Sequence, residues 1–530
     1  MKSLEDMSAI QKAKPGQTGG IRRATAPTAG GTHGPADLQR LVGNRAVVKG
    51  LAGGATAPQL GIIRRRGGQT VKAPLPSRRD FEAKVGKASF WSNSYKAVLQ
   101  GLQDYEKIKP ADIPAATKLI QRIRLAGIVY LRGHESTGKD DANNARIRAL
   151  EDLVYRDLIK AETQMTGRTD LKAVEKASGG LVSEVQKVVG DKGEEGYFKT
   201  DEGGESSADV ASFFEVSRFG ANREVAVAAV DELFKTGLVP KTEFAMLGDQ
   251  FGSVQKAAKG VAAQVMETVG GTPAAFAVSS DLFQTSGFAK QLNTLQFLDT
   301  ITGHGDRHPG NYMVWREPNG EVGLAGIDND ISFGRASYEK GAKGNYAGHF
   351  KGLPTYLDEG VVENALKVTP AMLRSVLVKL LPPKEVELTA GRWEQTRAQL
   401  VKMQAQGRII AKKDTLRWMQ VQAQAGTPGQ DTVSSSYLEA KKGAEEGNAM
   451  DDSLLQDRPK YKRVMGYLHV MKRCLDTRLE AEGGEDLLKE AGEAYHQLLR
   501  EYPRARSWRT VVQGFEAIRL PVYKERYGER

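Results

Sequence analysis

The stretch from residue 303 to residue 330, GHGDRHPGNYMVWREPNGEVGLAGIDND, constrains the fold more than any other part of this 530-residue chain. Two apolar runs, YMVW and GLAGI, are separated by the turn-forming residues EPNG. That pattern predicts a β-hairpin. Asp306 and Asn311 would lie where the hairpin begins and Asp328 where it ends, so that their side-chain oxygens converge.

The types and spacing of these polar residues favour metal and nucleotide chemistry. Asp306 precedes Asn311 by five positions. In the catalytic loop of kinases, an aspartate that receives the substrate hydroxyl proton precedes a Mg²⁺-binding asparagine by the same step, and a second aspartate follows on the next strand pair. Hard oxygen ligands of this kind suit Mg²⁺. The spacing therefore predicts that Asp306 orients a hydroxyl group and that Asn311 and Asp328 bind Mg²⁺.

Cysteine content and hydropathy exclude several classes of protein. Cys474 is the only cysteine, which excludes an intramolecular disulfide and a cysteine-based metal cluster and predicts a packing residue. No window is long and apolar enough to predict a transmembrane helix. The N-terminal sequence MKSLEDMSAIQKAK lacks the apolar region of a secretory signal peptide. These features fit synthesis in a reducing cytosol.

The positive charge is concentrated at the N-terminus. Residues 1–79 contain fourteen Lys or Arg and three acidic residues, a balance of +11 that equals the net charge of the whole chain. Residues 1–77 are rich in Gly, Pro, Ala, Thr and Arg, which predicts a largely disordered basic tail. Because the tail lacks interleaved aromatic residues, we do not expect specific nucleic-acid binding.

Apolar periodicity predicts a helical bundle over residues 78–168. Tyr95, Val98, Leu99 and Leu102 fall on one helical stripe, and two further helices follow in AATKLIQRIRLAGIVYLRGH and ANNARIRALEDLVYRDLIKAE. We see no catalytic arrangement of residues there and expect a packing or docking module.

From about residue 169 the pattern changes to short strands. Two strands are predicted on either side of residues 190–195, the second ending in GYFK, and another strand is predicted over 251–260 before a linker. Between them, a helix is predicted over 222–235, with Asn222 as its N-cap and Gly237 as its stop.

The rest of the chain is predicted to be mainly helical. A helix over 286–301 leads to the hairpin, and helices follow Gly334 to about residue 422. A Gly/Ser/Gln-rich linker over 423–437 then leads to a final helical region.

The hairpin sequence resembles a known signature. GDRHPGNYMV followed by GIDND is similar to the "GDRHxxN … IDFG" signature of the phosphoinositide 3-/4-kinase-like clan, which includes actin-fragmin kinase and bacterial effector kinases. REVAVAAVDELFKTGLVPKT resembles the family helix "EVAAYLLDRLLGLGLVPPT". Three further segments match the family in the same order along the chain. GYFK resembles the strand that carries the family's lysine, and FGSVQ resembles the strand before the hinge. LPTYLDEGVVENAL resembles the segment after the metal-binding aspartate.

The resemblance implies an α+β, two-lobed protein-kinase-like fold. The small β-rich lobe would be residues 169–262 and the helical large lobe residues 263–422. The helical bundle (78–168), a linker with a C-terminal helical region (423–530) and the disordered tail would flank them.

The resemblance also implies a site for ATP and Mg²⁺. Lys199 would bind the α- and β-phosphates, with Glu224 as its ion-pair partner. His308 would contact the γ-phosphate or act as the base, Arg307 belongs to the catalytic loop and is expected to brace it, and His304 is interpreted as a loop residue without a role. The phosphate loop would contain Gly179, Gly180 and Ser183.

The chain departs from the family pattern in two places. The expected Asp-Phe-Gly reads Asp328-Asn329-Asp330, so the glycine hinge is missing and Asp330 becomes a further candidate metal ligand. The phosphate-loop sequence GGLVS lacks a full G-x-G-x-x-G, although backbone amides there could still bind phosphate.

A second resemblance lies in the tail. ADLQRLVGNRAVVKGL, residues 36–51, is similar to the "LQR-x-x-GNRAV" element near the N-terminus of effectors of phage-tail-like contractile injection systems. It implies a protein made in the bacterial cytoplasm without a signal peptide, loaded into an injection or secretion apparatus through its tail and delivered into a target cell.

The sequence thus predicts an ATP- and Mg²⁺-dependent kinase that phosphorylates a protein hydroxyl in the target cell, as an injected toxin or effector. A phosphoinositide kinase is an alternative, because Arg335, Lys340, Lys343 and Lys351 could hold headgroup phosphates. A pseudokinase-like scaffold without turnover is a second alternative, and AMP transfer would require the same residues.

Overall fold

The computed structural model shows a mixed α+β protein. It describes residues 71–85, 92–134, 142–176, 185–201, 218–269, 272–278, 286–307, 309–334, 352–424, 449–450, 454, 457–481 and 483–528. Within these ranges, no helix is both long enough and apolar enough to span a membrane.

The helical bundle predicted near the N-terminus is present. Its helices are α1 (Arg78–Val85), α2 (Asn93–Lys107), α3 (Ile113–Arg132), α4 (Ala142–Asp152) and α5 (Leu158–Thr166), with a π-helical turn (Leu153–Asp157) between the last two. The predicted stripe of Tyr95, Val98, Leu99 and Leu102 is no more than 2 % exposed and lies in the bundle core. The bundle therefore forms by burying one apolar face of each helix.

Residues 71–77 correct the predicted extent of the tail. The backbone N–H of Lys72 donates to the carbonyl of Pro110 at 2.7 Å, and the Tyr105 hydroxyl donates to the carbonyl of Ala73 at 2.8 Å. Ala73 is buried against the bundle. The prediction of disorder is thus wrong for these residues, while residues 1–70, with the GNRAV-like segment, lie outside the described residues.

A five-stranded antiparallel sheet follows the bundle. Its strands are β1 (Lys172–Lys176), β2 (Val185–Val189), β3 (Glu195–Thr200), β4 (Thr242–Leu247) and β5 (Gln250–Lys256), in the order β1-β2-β3-β5-β4. The predicted strands around residues 190–195 and after 251 are confirmed. Side chains alternate between the two faces of β3, and Phe198 is on the buried face. The next residue, Lys199, pairs in register with Ser253 of β5.

In sequence, helix α6 (Gly220–Phe234) lies between β3 and β4, close to the predicted range 222–235. The residues that begin and end it differ from the prediction. Asn222 is not the N-cap: it is fully buried in the first turn, and its side-chain amide donates to the carbonyl of Leu380 at 2.8 Å. Asp201 accepts the N–H of Ala221 at 2.9 Å instead. The helix ends at a left-handed Lys235 (φ 57°), before the predicted stop at Gly237.

Strands β6 to β10 contribute to two smaller sheets. Strand β6 (Val261–Ala262) joins β9 (Tyr312–Arg316) and β10 (Val322–Gly326) in one, while β7 (Gln264–Val269) and β8 (Thr272–Val278) pair with each other in the second. The β7–β8 hairpin was not predicted from the sequence.

The remainder is mainly helical, as predicted. Helix α7 (Ser286–Thr302) leads to the site, and α8 (Glu359–Lys367), α9 (Pro370–Leu377), α10 (Pro383–Ala405) and α11 (Thr415–Ala423) follow it. Two short strands, β11 (Leu357–Asp358) and β12 (Ile409–Ile410), pair in parallel. The rings of Phe234, Phe297 and Trp393 meet edge to face and join α6, α7 and α10 in one core.

The C-terminal region has a separate apolar core. It contains α12 (Arg458–Asp476), α13 (Gly484–Glu501), α14 (Gly514–Ile518) and α15 (Leu520–Tyr527), and a short strand, β13 (Ala449–Met450), pairs in parallel with β8. Cys474 is fully buried in this core, as expected for a packing residue.

Candidate active site

The predicted hairpin is confirmed and brings the two ends of the candidate site together. Strands β9 and β10 pair antiparallel, with Tyr312 opposite Gly326. Beyond that pair, the N–H of Ile327 donates to the carbonyl of Asn311 at 3.0 Å. Asn311 and Asp328 therefore lie at the same end of the hairpin.

The loop before β9 is closed by Asn311. Its side-chain amide donates to the backbone carbonyl of Asp306 at 2.7 Å and lies 3.4 Å from Oδ2 of the same residue. Both residues are buried. The five-residue spacing between Asp306 and Asn311 therefore corresponds to a loop whose last residue, Asn311, fixes the loop by a hydrogen bond to its first residue.

Arg307 braces this loop from inside the protein, as expected. The side chain is fully buried, and its Nε and Nη2 atoms donate to the two carboxylate oxygens of Asp299 at 3.0 and 3.1 Å. The guanidinium also donates to the carbonyls of Asn311 and Ile327 and to Oδ1 of Asn329. Burial raises the pKa of Asp299, and the facing guanidinium opposes that rise. One arginine thus ties α7, the loop and the end of the hairpin together.

His304 has a structural role that sequence reasoning missed. Its Nδ1 atom accepts the backbone N–H of Asp306 at 3.1 Å, so the ring proton lies on Nε2, which donates to the carbonyl of Asp328 at 3.1 Å. His304 therefore joins the two aspartates through their backbones. Its place two residues before Asp306 was the only sequence signal for this role.

Lys199, on strand β3 of the five-stranded sheet, contacts the candidate residues of other elements. Its Nζ atom lies 2.6 Å from Oε1 of Glu224, so the predicted ion pair is present. The same amine contacts Oδ1 of Asp328 and lies 3.7 Å from Oδ2 of Asp330. Oε1 of Glu224 also accepts the backbone N–H of Asn329 at 3.0 Å. These contacts bring β3, α6 and the end of the hairpin to one point.

The charges at this point do not balance. Glu224, Asp328 and Asp330 offer carboxylate oxygens within 4.8 Å of one another, and two cationic groups of the described residues face them: the Lys199 amine between them and the buried Arg223, which donates to the carbonyl of Asp330. Burial raises the pKa of Asp330 to about 6, with Lys199 opposing the rise and the other two carboxylates adding to it. Burial lowers the pKa of Lys199, but the three carboxylates more than offset this and raise it well above its usual range. A further cation would relieve the repulsion.

The donor set fits a divalent cation such as Mg²⁺. Oε2 of Glu224 is buried and has no hydrogen-bond partner among the described residues, so an acceptor oxygen stays available beside Asp328 and Asp330. Hard carboxylate oxygens are the ligands that Mg²⁺ prefers. The sequence assigned the metal to Asn311, Asp328 and Asp330, and the structure adds Glu224 to the candidate ligands.

Asp328 has an uncommon backbone conformation. Its φ of 59° lies in the left-handed region, which few residues other than glycine adopt, although aspartate tolerates it better than most. The hydrogen bond from His304 to its carbonyl helps to hold this conformation. Such positions cluster at functional sites.

Several candidate residues lie outside the described residues. They include His308 and the predicted phosphate loop with Gly179, Gly180 and Ser183. The basic segment 335–351, which bears on the choice of substrate, lies outside them as well.

No protein-family model matches the chain, and no curated protein matches it significantly in sequence. The relationship suggested by GDRHPGNYMV, GIDND and GYFK therefore stays a resemblance.

Proposed function

We propose that the protein is an ATP- and Mg²⁺-dependent kinase that transfers the γ-phosphoryl group to a hydroxyl group of another protein. One observation carries this proposal: the Lys199–Glu224 ion pair lies against Asp328, at the end of the hairpin that Asn311 begins. Lys199 and Asp328 are 129 residues apart in sequence, so this convergence depends on the fold.

Each residue has a role in the proposed reaction. Lys199 holds the nucleotide phosphates, and Glu224 fixes the position of its amine. Asp328, Asp330 and Asn311, with Oε2 of Glu224 as a further candidate ligand, would hold Mg²⁺, which would neutralise charge on the phosphates. Asp306 orients the substrate hydroxyl, and Arg307 and His304 position the backbone around it. Phosphoryl transfer needs mainly positioning and charge stabilisation, which this arrangement can supply.

The same proposal assigns the protein a two-lobed kinase-like architecture. The five-stranded sheet with α6 is the small lobe, and α7, the β9–β10 hairpin and helices α8 to α11 form the large lobe. The contact of Lys199 and Glu224 with Asp328 then lies between the lobes, where kinases bind ATP.

Two features bear on the substrate and its location. The basic residues Arg335, Lys340, Lys343 and Lys351 favour a phosphoinositide as the second candidate substrate. The GNRAV-like segment of the tail supports delivery by an injection or secretion apparatus into a target cell, with a protein of that cell as the substrate.

Label transfer from ATP tests this function and separates it from its alternatives. The protein is incubated with Mg²⁺ and γ-labelled or α-labelled ATP, in a eukaryotic lysate and with phosphoinositide vesicles. We expect γ-label on lysate protein and none with Lys199→Met. Label on lipid would indicate a lipid kinase, and α-label on protein would indicate AMP transfer. Absence of label in every arm, with a folded protein, would leave the scaffold alternative.

A further inference from the structure

Helix α6, which carries Glu224, is held at its N-terminus by the helical bundle, residues 78–166. Phe219 immediately precedes α6, is 1 % exposed and belongs to the bundle core. Its ring centroid lies 5.8 Å from that of Tyr155. The guanidinium groups of Arg156 and Arg218 lie 5.7 and 5.4 Å from the centre of the same ring. The residue before α6, Phe219, is therefore packed into the core of the helical bundle and anchors the start of α6 there.

Asp201 connects this anchor to the strand of Lys199. It lies two residues after Lys199 and accepts the N–H of Ala221 in the first turn of α6. Arg156 of the bundle faces it, with Nε 3.8 Å from Oδ2 of Asp201. Neither of these two buried atoms has a hydrogen-bond partner in the part of the chain that the structure describes. The bundle thus places a positive charge where the lysine strand meets the start of α6.

The local geometry of the bundle favours these contacts. Tyr155 and Arg156 both lie on the π-helical turn Leu153–Asp157. A π-turn inserts an extra residue and changes the direction of the side chains around it, and such turns are frequent at functional positions. Asp152, just before the turn, accepts a hydrogen bond from Nε of Arg218 at 2.9 Å.

The bundle also contacts the regions on both sides of α6. Ile159 of α5 packs with Met246 and Phe251 of the five-stranded sheet. Arg124 of α3 donates to the carbonyl of Lys379, in the connection between α9 and α10. The bundle therefore fixes the sheet, α6 and the helical region at the same time.

We propose that the helical bundle is a built-in positioning module for the Lys199–Glu224 pair, with Phe219 as the positioning residue. Glu224 lies five positions after Phe219, a distance of about 7.5 Å along a helix axis. A shift of the helix start therefore moves the glutamate relative to the lysine. If the Lys199–Glu224 pair binds ATP, the bundle also controls phosphoryl transfer; this part of the inference rests on the function proposed above.

Hydrogen exchange of α6 in the full-length protein tests the positioning directly. Phe219→Ala should raise the exchange rates of the α6 amides at least roughly tenfold, and Phe219→Leu should restore most of the protection. Phe81→Ala is the matched control, since it removes the same ring from the same core on helix α1. Arg156→Gln, which leaves the core intact, should raise α6 exchange by a smaller factor. Unchanged α6 exchange in Phe219→Ala and Arg156→Gln, or an equal rise in Phe81→Ala, would overturn the proposal.

Binding of Mg·ATP separates this proposal from the function itself. Phe219→Ala should weaken binding roughly tenfold in the parent background and cause no further loss in Glu224→Ala, which removes the acceptor oxygens, because both changes act on one pair. If the losses in Mg·ATP binding from the two changes are additive, Phe219 does not act through Glu224, and the proposal is overturned. If the parent protein binds no Mg·ATP while α6 exchange still responds selectively to Phe219→Ala, the kinase function is wrong and the positioning by the bundle stands.

Discussion

The Nζ atom of Lys199 lies 2.6 Å from Oε1 of Glu224, although 25 residues separate them in sequence. Strand β3 supplies the lysine and helix α6 the glutamate. Asp201 joins the two elements, since it follows β3 and caps α6. In kinases, a pair of this kind positions the nucleotide phosphates.

Lys199→Met should abolish label transfer, because it removes the amine that we propose holds the phosphates. Glu224→Gln should reduce transfer less, because an amide oxygen can still accept hydrogen bonds from Lys199 and from the N–H of Asn329. Initial rates with γ-labelled ATP measure both effects. Lys256→Met, an exposed change on the neighbouring strand β5, is the control and should keep the parent rate. Full activity in Lys199→Met would mean that the nucleotide site has been misplaced.

Arg307→Met should lower the free energy of unfolding by roughly 3–5 kcal/mol, because it leaves the fully buried Asp299 carboxylate without its partner. Denaturant unfolding measures this change. The double variant Asp299→Leu/Arg307→Met should regain part of the loss, since it removes the unpaired charge. Arg316→Met, at an exposed position at the end of β9, should have little effect. Equal stability of Arg307→Met and Arg316→Met would refute the bracing role.

Asp201→Asn should stabilise the protein increasingly as the pH rises. Burial raises the pKa of Asp201 to about 6, with the N–H of Ala221 and Arg156 opposing the rise. The native state therefore binds a proton that the unfolded chain, with a pKa of about 3.9, has released. Stability is lost as the pH rises through this window of about pH 4 to 6.

The asparagine removes this titration and keeps an oxygen that accepts the N–H of Ala221. Relative to the parent, the variant should gain roughly 3 kcal/mol between about pH 4 and pH 8. Unfolding at several pH values measures the difference, with the exposed Asp249→Asn as control. A stability difference that does not vary with pH would show that Asp201 titrates normally.

Local patterns predicted the central part of the site well. Two apolar runs on either side of a turn predicted the β9–β10 hairpin, and a five-residue step before it placed Asp306 beside Asn311. The Lys199–Glu224 pair was predicted from the resemblance, because nothing local to either residue indicates the other. The stripe of Tyr95, Val98, Leu99 and Leu102 was likewise readable from helical spacing.

Contacts that depend on tertiary packing could not be predicted. Asn222 has the residue type of an N-cap, but burial against the carbonyl of Leu380 draws it into the first turn, and Asp201 caps the helix from another element. Asp299 is one of several buried polar residues on α7, and only the fold places it opposite Arg307. Residues 71–77 have no periodicity, and they are held by the Lys72 amine on carbonyls of the bundle, by one backbone hydrogen bond and by the burial of Ala73.

Asp306→Asn should lower turnover at least roughly a hundredfold while ATP binding is retained, because the amide cannot accept the hydroxyl proton. His308→Ala should cost less, and the pH profile of kcat should show no inflection near 6.5, the ordinary pKa of histidine. Steady-state rates across this pH range, with nucleotide affinity measured separately, test both statements. A larger loss in His308→Ala, with an inflection in the parent, would transfer the base role to the histidine and favour a lipid substrate.

Thermal unfolding with and without Mg·ATP tests the metal-dependent nucleotide site most directly, because a ligand that binds the native state raises its unfolding temperature. Asp328→Asn tolerates the left-handed backbone while removing the charge, Asn311→Ala removes the amide, and Asp249→Ala is an exposed control. We expect Mg·ATP to stabilise the parent and Asp249→Ala, and to have no effect on Asp328→Asn or Asn311→Ala. Equal stabilisation of all four proteins, or none in the parent, would contradict the proposed site.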